Sequence, residues 1–211
     1  MTAAKLATEV QSIMSQVLVH QRQRWATAVA HQRGYEAWWK VEFATALESW
    51  CWRADDSGFG VLPEARFSDF GLRTDQAADI LVAPWNSKEG SIRRDEYPRV
   101  WVELKERGTW WGGPAKAFGP ANKGLLSDFE KLETQAWSDD EVAIACQIVT
   151  HDGTIDERLP RSWLDALNGF EMKHRRMAHH AAVGFPLGRD AEGVPRVRWT
   201  SLYFFQVRGI L

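Results

Sequence analysis

The chain reads as an α/β protein, a mixed central sheet flanked by helices in the order α, β, β, β, α, β, with an extra N-terminal helix and C-terminal α/β additions. Three observations predict this. Apolar residues recur at helical spacing in two N-terminal stretches, and three short β-type runs separated by polar segments follow. Residues 142–149 are then almost wholly apolar, which suits a strand buried on both faces and therefore covered by helices. The 211 residues are 45% hydrophobic and 26% charged, an ordinary globular composition. One domain is expected: 1–34 a helical extension, 35–150 the core and 151–211 a C-terminal addition. Size scaling lets such a chain bury roughly 70% of its extended surface, so the core needs no disulfide or metal staple.

Taken in order, Leu6, Val10, Ile13, Met14, Val17 and Leu18 mark a long amphipathic helix that Trp25 and Val29 continue before Gly34 interrupts it. Residues 35–50 resume helically, with Tyr35, Trp39, Phe43, Ala46 and Trp50 on one stripe. Glu42 falls inside that stripe, and a carboxylate on an apolar face needs an explanation. Glu36, with Lys40 four residues on, reads instead as a solvated ion pair. Strands are expected at 61–67, 77–83 and 100–105, with a charged loop or insertion at 84–98. A Gly/Pro/Lys-rich stretch, 107–124, reads as a long ordered loop. Leu125, Phe129, Leu132 and Ala136 mark a helix, a further helix runs from Pro160 through Met177, and 197–207 closes the chain in β.

Composition excludes several classes. The longest apolar runs are far short of the roughly 20 residues that span a bilayer. No leader pattern opens the chain and only two cysteines, Cys51 and Cys146, occur, so the cytoplasm is the expected compartment. The net charge of −2 creates no global positive field, and nucleic-acid binding would need a local basic patch. Neither a phosphate-binding GxxxxGK[ST] loop nor a GxSxG nucleophile elbow is present. His174, His179 and His180 lack the spacing that stacks two zinc-binding rings on one helix face. Twelve tryptophans are the compositional outlier, and most are expected in the core.

Chemistry concentrates on the third expected strand. In Val100-Trp101-Val102-Glu103-Leu104-Lys105, period-two alternation sends Trp101, Glu103 and Lys105 to one face. The preceding apolar strand, Ala77-Ala78-Asp79-Ile80-Leu81-Val82, starts with an acid that hairpin geometry can bring beside Glu103. Two hard carboxylates converging with a lysine suit Mg²⁺ or Mn²⁺ rather than Zn²⁺, and such a centre acts on phosphate esters.

Asp79 in its strand, Glu103-Leu104-Lys105, and Glu42 on the helix before them resemble the PD-(D/E)xK superfamily of restriction endonuclease-like nucleases. The resemblance takes in the αβββαβ order from Tyr35 to about Thr150, somewhat over half of the chain. It implies a restriction endonuclease-like core with Asp79 and Glu103 as metal ligands, and Lys105 orienting the attacking water or helping to deprotonate it. Glu42 would complete the metal shell directly or through water. The chain has Ala78 where the family's motif places a proline. The implied activity is Mg²⁺- or Mn²⁺-dependent hydrolysis of phosphodiester bonds, as a DNA endonuclease in a defence, restriction, repair or toxin role. Two cysteines cannot ligate the iron–sulfur cluster of the family's cluster-bearing exonucleases.

The segment leaving the catalytic strand supplies cations, indole faces and bare backbone amides, and Arg107, Trp110, Trp111, Lys116 and Lys123 are expected to contact nucleic acid. An ordered loop whose tryptophans plug the sheet edge explains the same residues. Glu64, on the first strand, is either a fourth acid of the site or an exposed strand charge. Lys173-His174-Arg175-Arg176 is a second basic cluster, of the kind that is usually a solvated face. The alternative to an enzyme is a non-catalytic nucleic-acid-binding or assembly subunit on the same fold. Two cuts in a duplex need two sites, so a homodimer is expected, with the tryptophan-rich N-terminal helices as interface, and the weak overall charge points to a partner subunit that supplies the basic surface.

Overall fold

The computed structural model of the chain describes residues 1–21, 24, 35–53, 58–109, 113–118, 124–174 and 177–208. Helix α1 spans Ala3–His20 and is capped by the Thr2 hydroxyl, which accepts from the Lys5 N–H at 3.3 Å. It buries Leu6, Val10, Met14, Val17 and Leu18 as their spacing predicts. It closes at His20, and Trp25 and Val29 lie outside the described residues. Helix α2 spans Tyr35–Arg53 and buries Trp39, Phe43, Leu47 and Cys51, four residues apart. The stripe thus runs slightly off the expected one, and Ala46 and Trp50 are only partly buried at its edge.

Strands β1 (Phe59–Arg66), β2 (Ala77–Asn86) and β4 (Arg99–Gly108) are successive antiparallel neighbours. The expected loop at 84–98 partly folds back as the short strand β3, Ser91–Ile92, on the end of β2. From β4 the chain passes through α3 (Pro114–Phe118) and α4 (Leu125–Glu133) into β5 (Glu141–Thr154), which lies parallel to β4 from Arg99/Glu141 to Gly108/Thr150. A parallel neighbour requires such a crossover, which explains why helix formers stand between these two strands. Helix α5 (Arg161–His174) precedes β6 (Met177–Arg189) and β7 (Pro195–Arg208), both antiparallel. Met177 opens β6 rather than ending the helix, and β6 is a strand that the sequence pattern does not announce. Among the described residues the seven strands form a mixed sheet in the order β1-β2-β4-β5-β7-β6, with β3 attached to β2.

Helices cover both faces. Against α1 and α2 pack Ile80, Val82, Val100, Val102, Ile144, Cys146 and Ile148. Against α3, α4 and α5 pack Leu81, Trp101, Ala143, Ala145, Val149, Tyr203 and Phe205. Alternate residues of β5 thus enter opposite cores, as its apolar run requires. Trp101 meets Phe67, Phe70 and Trp137 with ring centroids 5.1–5.9 Å apart, so this tryptophan and Trp137 are core. Among the described residues no helix is long and apolar enough to cross a membrane.

Candidate active site

The β2–β4 ladder pairs Val82 with Val100, Leu81 with Trp101 and Ile80 with Val102. The next residues along that register are Asp79 and Glu103, where the ladder ends. There the Leu104 N–H donates to Asp79 Oδ2 at 2.6 Å, so a side chain takes the place of a β2 carbonyl. Asp79 and Glu103 are 8% and 4% exposed, deep for carboxylates.

Lysines from two helices enter this point. Lys40 of α2 lies 2.6 Å from Asp79 Oδ1 and also reaches Glu64 at 3.4 Å and Glu36 at 3.8 Å. Lys131 of α4 lies against the Glu103 carboxylate and donates to the Ala77 carbonyl at 2.7 Å. Lys105, two residues beyond Glu103 on the same strand, lies 3.4 Å from Glu36 and 3.5 Å from Asp128 in the first turn of α4.

These charges do not balance. Burial first, then the charge of Asp79, pushes the Glu103 carboxyl up to about 8, with Lys131 opposing. Burial also raises Asp128 against the pull of Lys105 and Lys131. On β4, Glu106 is pushed up to about 7 by burial and by Glu36, with Arg107 opposing. Burial works against the Lys40 ammonium, but the hydrogen bond and charge of Asp79, with Glu64 and Glu36, hold it above the usual lysine range. A cluster that suppresses ionisation of its own carboxyls has room for further positive charge.

Asp79, Glu103 and Lys105 therefore meet at one end of the β2–β4 ladder. Glu42 does not join them: its oxygens lie 3.1 and 3.5 Å from Arg24. The acid that α2 directs at the cluster is Glu36, six residues earlier and about 120° away around the helix. That corrects the expectation for Glu42 and explains it as a carboxylate neutralised by an arginine. Glu64 holds a left-handed φ of 51°, faces Asp79 in the β1–β2 register, and is largely exposed, joined to Asp79 through Lys40.

Of the expected nucleic-acid contacts, Arg107 stands at the end of β4 with its Nη1 donating to the Glu106 carbonyl at 3.3 Å. Trp110, Trp111 and Lys123 lie outside the described residues, as does the side chain of Lys116 on α3. His179 meets Ser15 at 3.2 Å and packs on Phe204, while His180 stacks on Tyr203 at 4.6 Å.

Periodicity misses Lys40, Asp128, Lys131 and Gln147. Gln147 was detectable, being an amide in an otherwise apolar run, the same signal that singles out Glu42. Asp128 and Lys131 were not, because polar residues flanking an apolar helix stripe are ordinary.

Among the described residues no three His, Cys, Asp or Glu side chains are grouped to hold a metal ion. Mg²⁺ commonly takes one or two carboxylates and completes its shell with water and phosphate oxygens, so the Asp79 and Glu103 oxygens fit that ion by donor type and number. Comparison of the chain with protein-family models, with curated proteins and with solved structures finds no match.

Proposed function

We propose that the chain is a metal-dependent phosphodiesterase that hydrolyses nucleic acid, acting as a DNA endonuclease. The observation that carries this reading is the pair of buried carboxylates where β2 and β4 part, with the Glu103 carboxyl short of positive charge and Lys105 two residues on. The strand order supports it as well: an antiparallel β1-β2-β4 followed by a helical crossover to a parallel β5 matches the core that the PD-(D/E)xK resemblance implies.

In this reading Asp79 and Glu103 hold Mg²⁺ or Mn²⁺, which when bound supplies the Lewis acid that polarises the scissile phosphate. Lys105 orients the attacking water, a role that a charged ammonium fills without losing its proton. Glu36 and Asp128 hold that ammonium from two helices, and the Leu104 N–H fixes the Asp79 carboxylate. Lys40 lies against Asp79 and Lys131 against Glu103, where a bound metal ion would compete with them.

The same two lysines favour a second reading. Ammonium groups on both carboxylates serve a protein that binds nucleic acid without cutting it equally well. One assay separates the two: supercoiled plasmid, linear duplex, single-stranded DNA and RNA are incubated with Mg²⁺, Mn²⁺ or EDTA. Native protein is expected to cut in a metal-dependent way, and Asp79→Ala and Lys105→Ala to lower the rate by at least about 100-fold. A native chain that cuts none of these, yet shifts nucleic acid equally with metal and with EDTA, is the non-catalytic binder.

A further inference from the structure

Gln147 is the amide in the apolar run of β5 and is fully buried. It is the register partner of Lys105 and lies on the sheet face that carries Ala145, Val149 and Tyr203, the face covered by α4. Its Nε2 donates to the Lys105 carbonyl and to the Ile148 carbonyl, each at 3.0 Å. Both neighbours of that nitrogen are acceptors, so the amide cannot be turned round without setting oxygen against oxygen. Its Oε1 is therefore held on the other side, buried and without a donor among the described residues.

A buried, unpaired acceptor is costly, and the fold does not require this one. The β4–β5 ladder already runs unbroken from Arg99/Glu141 to Gly108/Thr150. A methionine would fill the same space with no polar atom to satisfy. What the amide does touch is Lys105, whose ammonium has its two acceptors at 3.4 and 3.5 Å, longer than a well-made charged hydrogen bond, so its place depends on the backbone that carries it.

We propose that Gln147 is a positioning residue for Lys105, its amide nitrogen fixing the β4 backbone at that position and its unpaired oxygen being the cost of holding the nitrogen there. The role rests on the phosphodiesterase reading above. It acts on the geometry of the chemical step and not on substrate capture, so its loss lowers kcat and leaves KM in place.

The test compares Gln147→Met with native protein, with Lys105→Ala, and with Thr200→Val. Thr200 also buries an unpaired hydroxyl on the same sheet, on β7, which β5 separates from β4. Thr200→Val is expected to melt at or above the native temperature, since it removes a buried unpaired hydroxyl, and Gln147→Met close to it, since the lost unpaired oxygen offsets the two lost amide hydrogen bonds. In plasmid cleavage Gln147→Met is expected to lose on the order of 10- to 100-fold in kcat with KM for DNA little changed, while Thr200→Val cuts as the native chain does. If Gln147→Met cuts at the native rate while Lys105→Ala does not, the positioning role is wrong and the phosphodiesterase reading stands. If Gln147→Met fails to fold or melts well below native, Gln147 is a structural member and the positioning role is again wrong. If the native chain cuts nothing, both readings fall together.

Discussion

Glu103→Gln is expected to stop cleavage and at the same time make the chain harder to unfold at pH 8. The native carboxyl is pushed from an ordinary 4.5 up to about 8, so between those values the unfolded chain has lost a proton that the folded chain still holds. Stability therefore falls as pH rises through that window, by up to about 5 kcal/mol, and levels off above it. Glu106, raised to about 7, adds a fall of the same sign at lower pH. From pH 7 to 8 both groups contribute, and the difference between native and Glu103→Gln isolates the share of Glu103. Urea unfolding across that interval is expected to show a declining native stability and a flatter Glu103→Gln, whose amide oxygen still accepts from Lys131. Mn²⁺ at pH 8 is expected to raise the melting temperature of the native chain and not that of the variant. Equal slopes for the two proteins would remove Glu103 as the source, and equal responses to Mn²⁺ would remove it as a ligand.

Glu141→Ala is expected to destabilise the fold by about 3–5 kcal/mol, lowering the melting temperature by roughly 6–20 °C. Arg99 and Glu141 form the first register pair of β4 and β5, are both about 2% exposed, and lie 3.2 Å apart. The guanidinium also donates to the carbonyls of Glu96 and Arg94 and packs 4.3 Å from the Tyr97 ring. The carboxylate in turn accepts from the Trp101 indole at 3.2 Å and from the Ser138 N–H at 3.0 Å. Alanine would leave a buried cation short of its counter-charge, the buried Trp101 indole N–H unpaired and the half-buried Ser138 N–H without its carboxylate, which is the costly way to break such a pair. Replacing both charged residues, as Arg99→Met with Glu141→Leu, is expected to cost less than Glu141→Ala alone. Thermal and urea unfolding check both, and a loss below about 1 kcal/mol for Glu141→Ala would show that the network contributes little.

The elements differ in how openly their residues declare them. Strand β5 is legible because burial on both faces excludes polar side chains from most of its length, and that exclusion is visible residue by residue. Strand β6 is not. It is the sheet's edge, half of its residues face solvent, and Met177-Ala178-His179-His180-Ala181-Ala182 shows neither alternation nor a continuous apolar run. Helix α2 lies between these cases. Its periodicity locates the buried stripe to within a residue step, but not which neighbours close on the stripe's edges, and that decides between Glu36 and Glu42.

The sequence by itself determined the order of helices and strands through the core, and with it the presence of an acid heading one strand and Glu103-Leu104-Lys105 on the next. Period two and a hairpin connection are local properties, carried by neighbouring residues. Only the tertiary structure decided that the β2–β4 ladder ends at Asp79 and Glu103, that Lys40 and Lys131 lie against them, and that Glu36, Asp128 and Gln147 surround Lys105. These residues are far apart in the chain and come from both helical layers and an adjoining strand. Their meeting depends on how the helices cross the sheet, and no pattern within a single helix or strand encodes that.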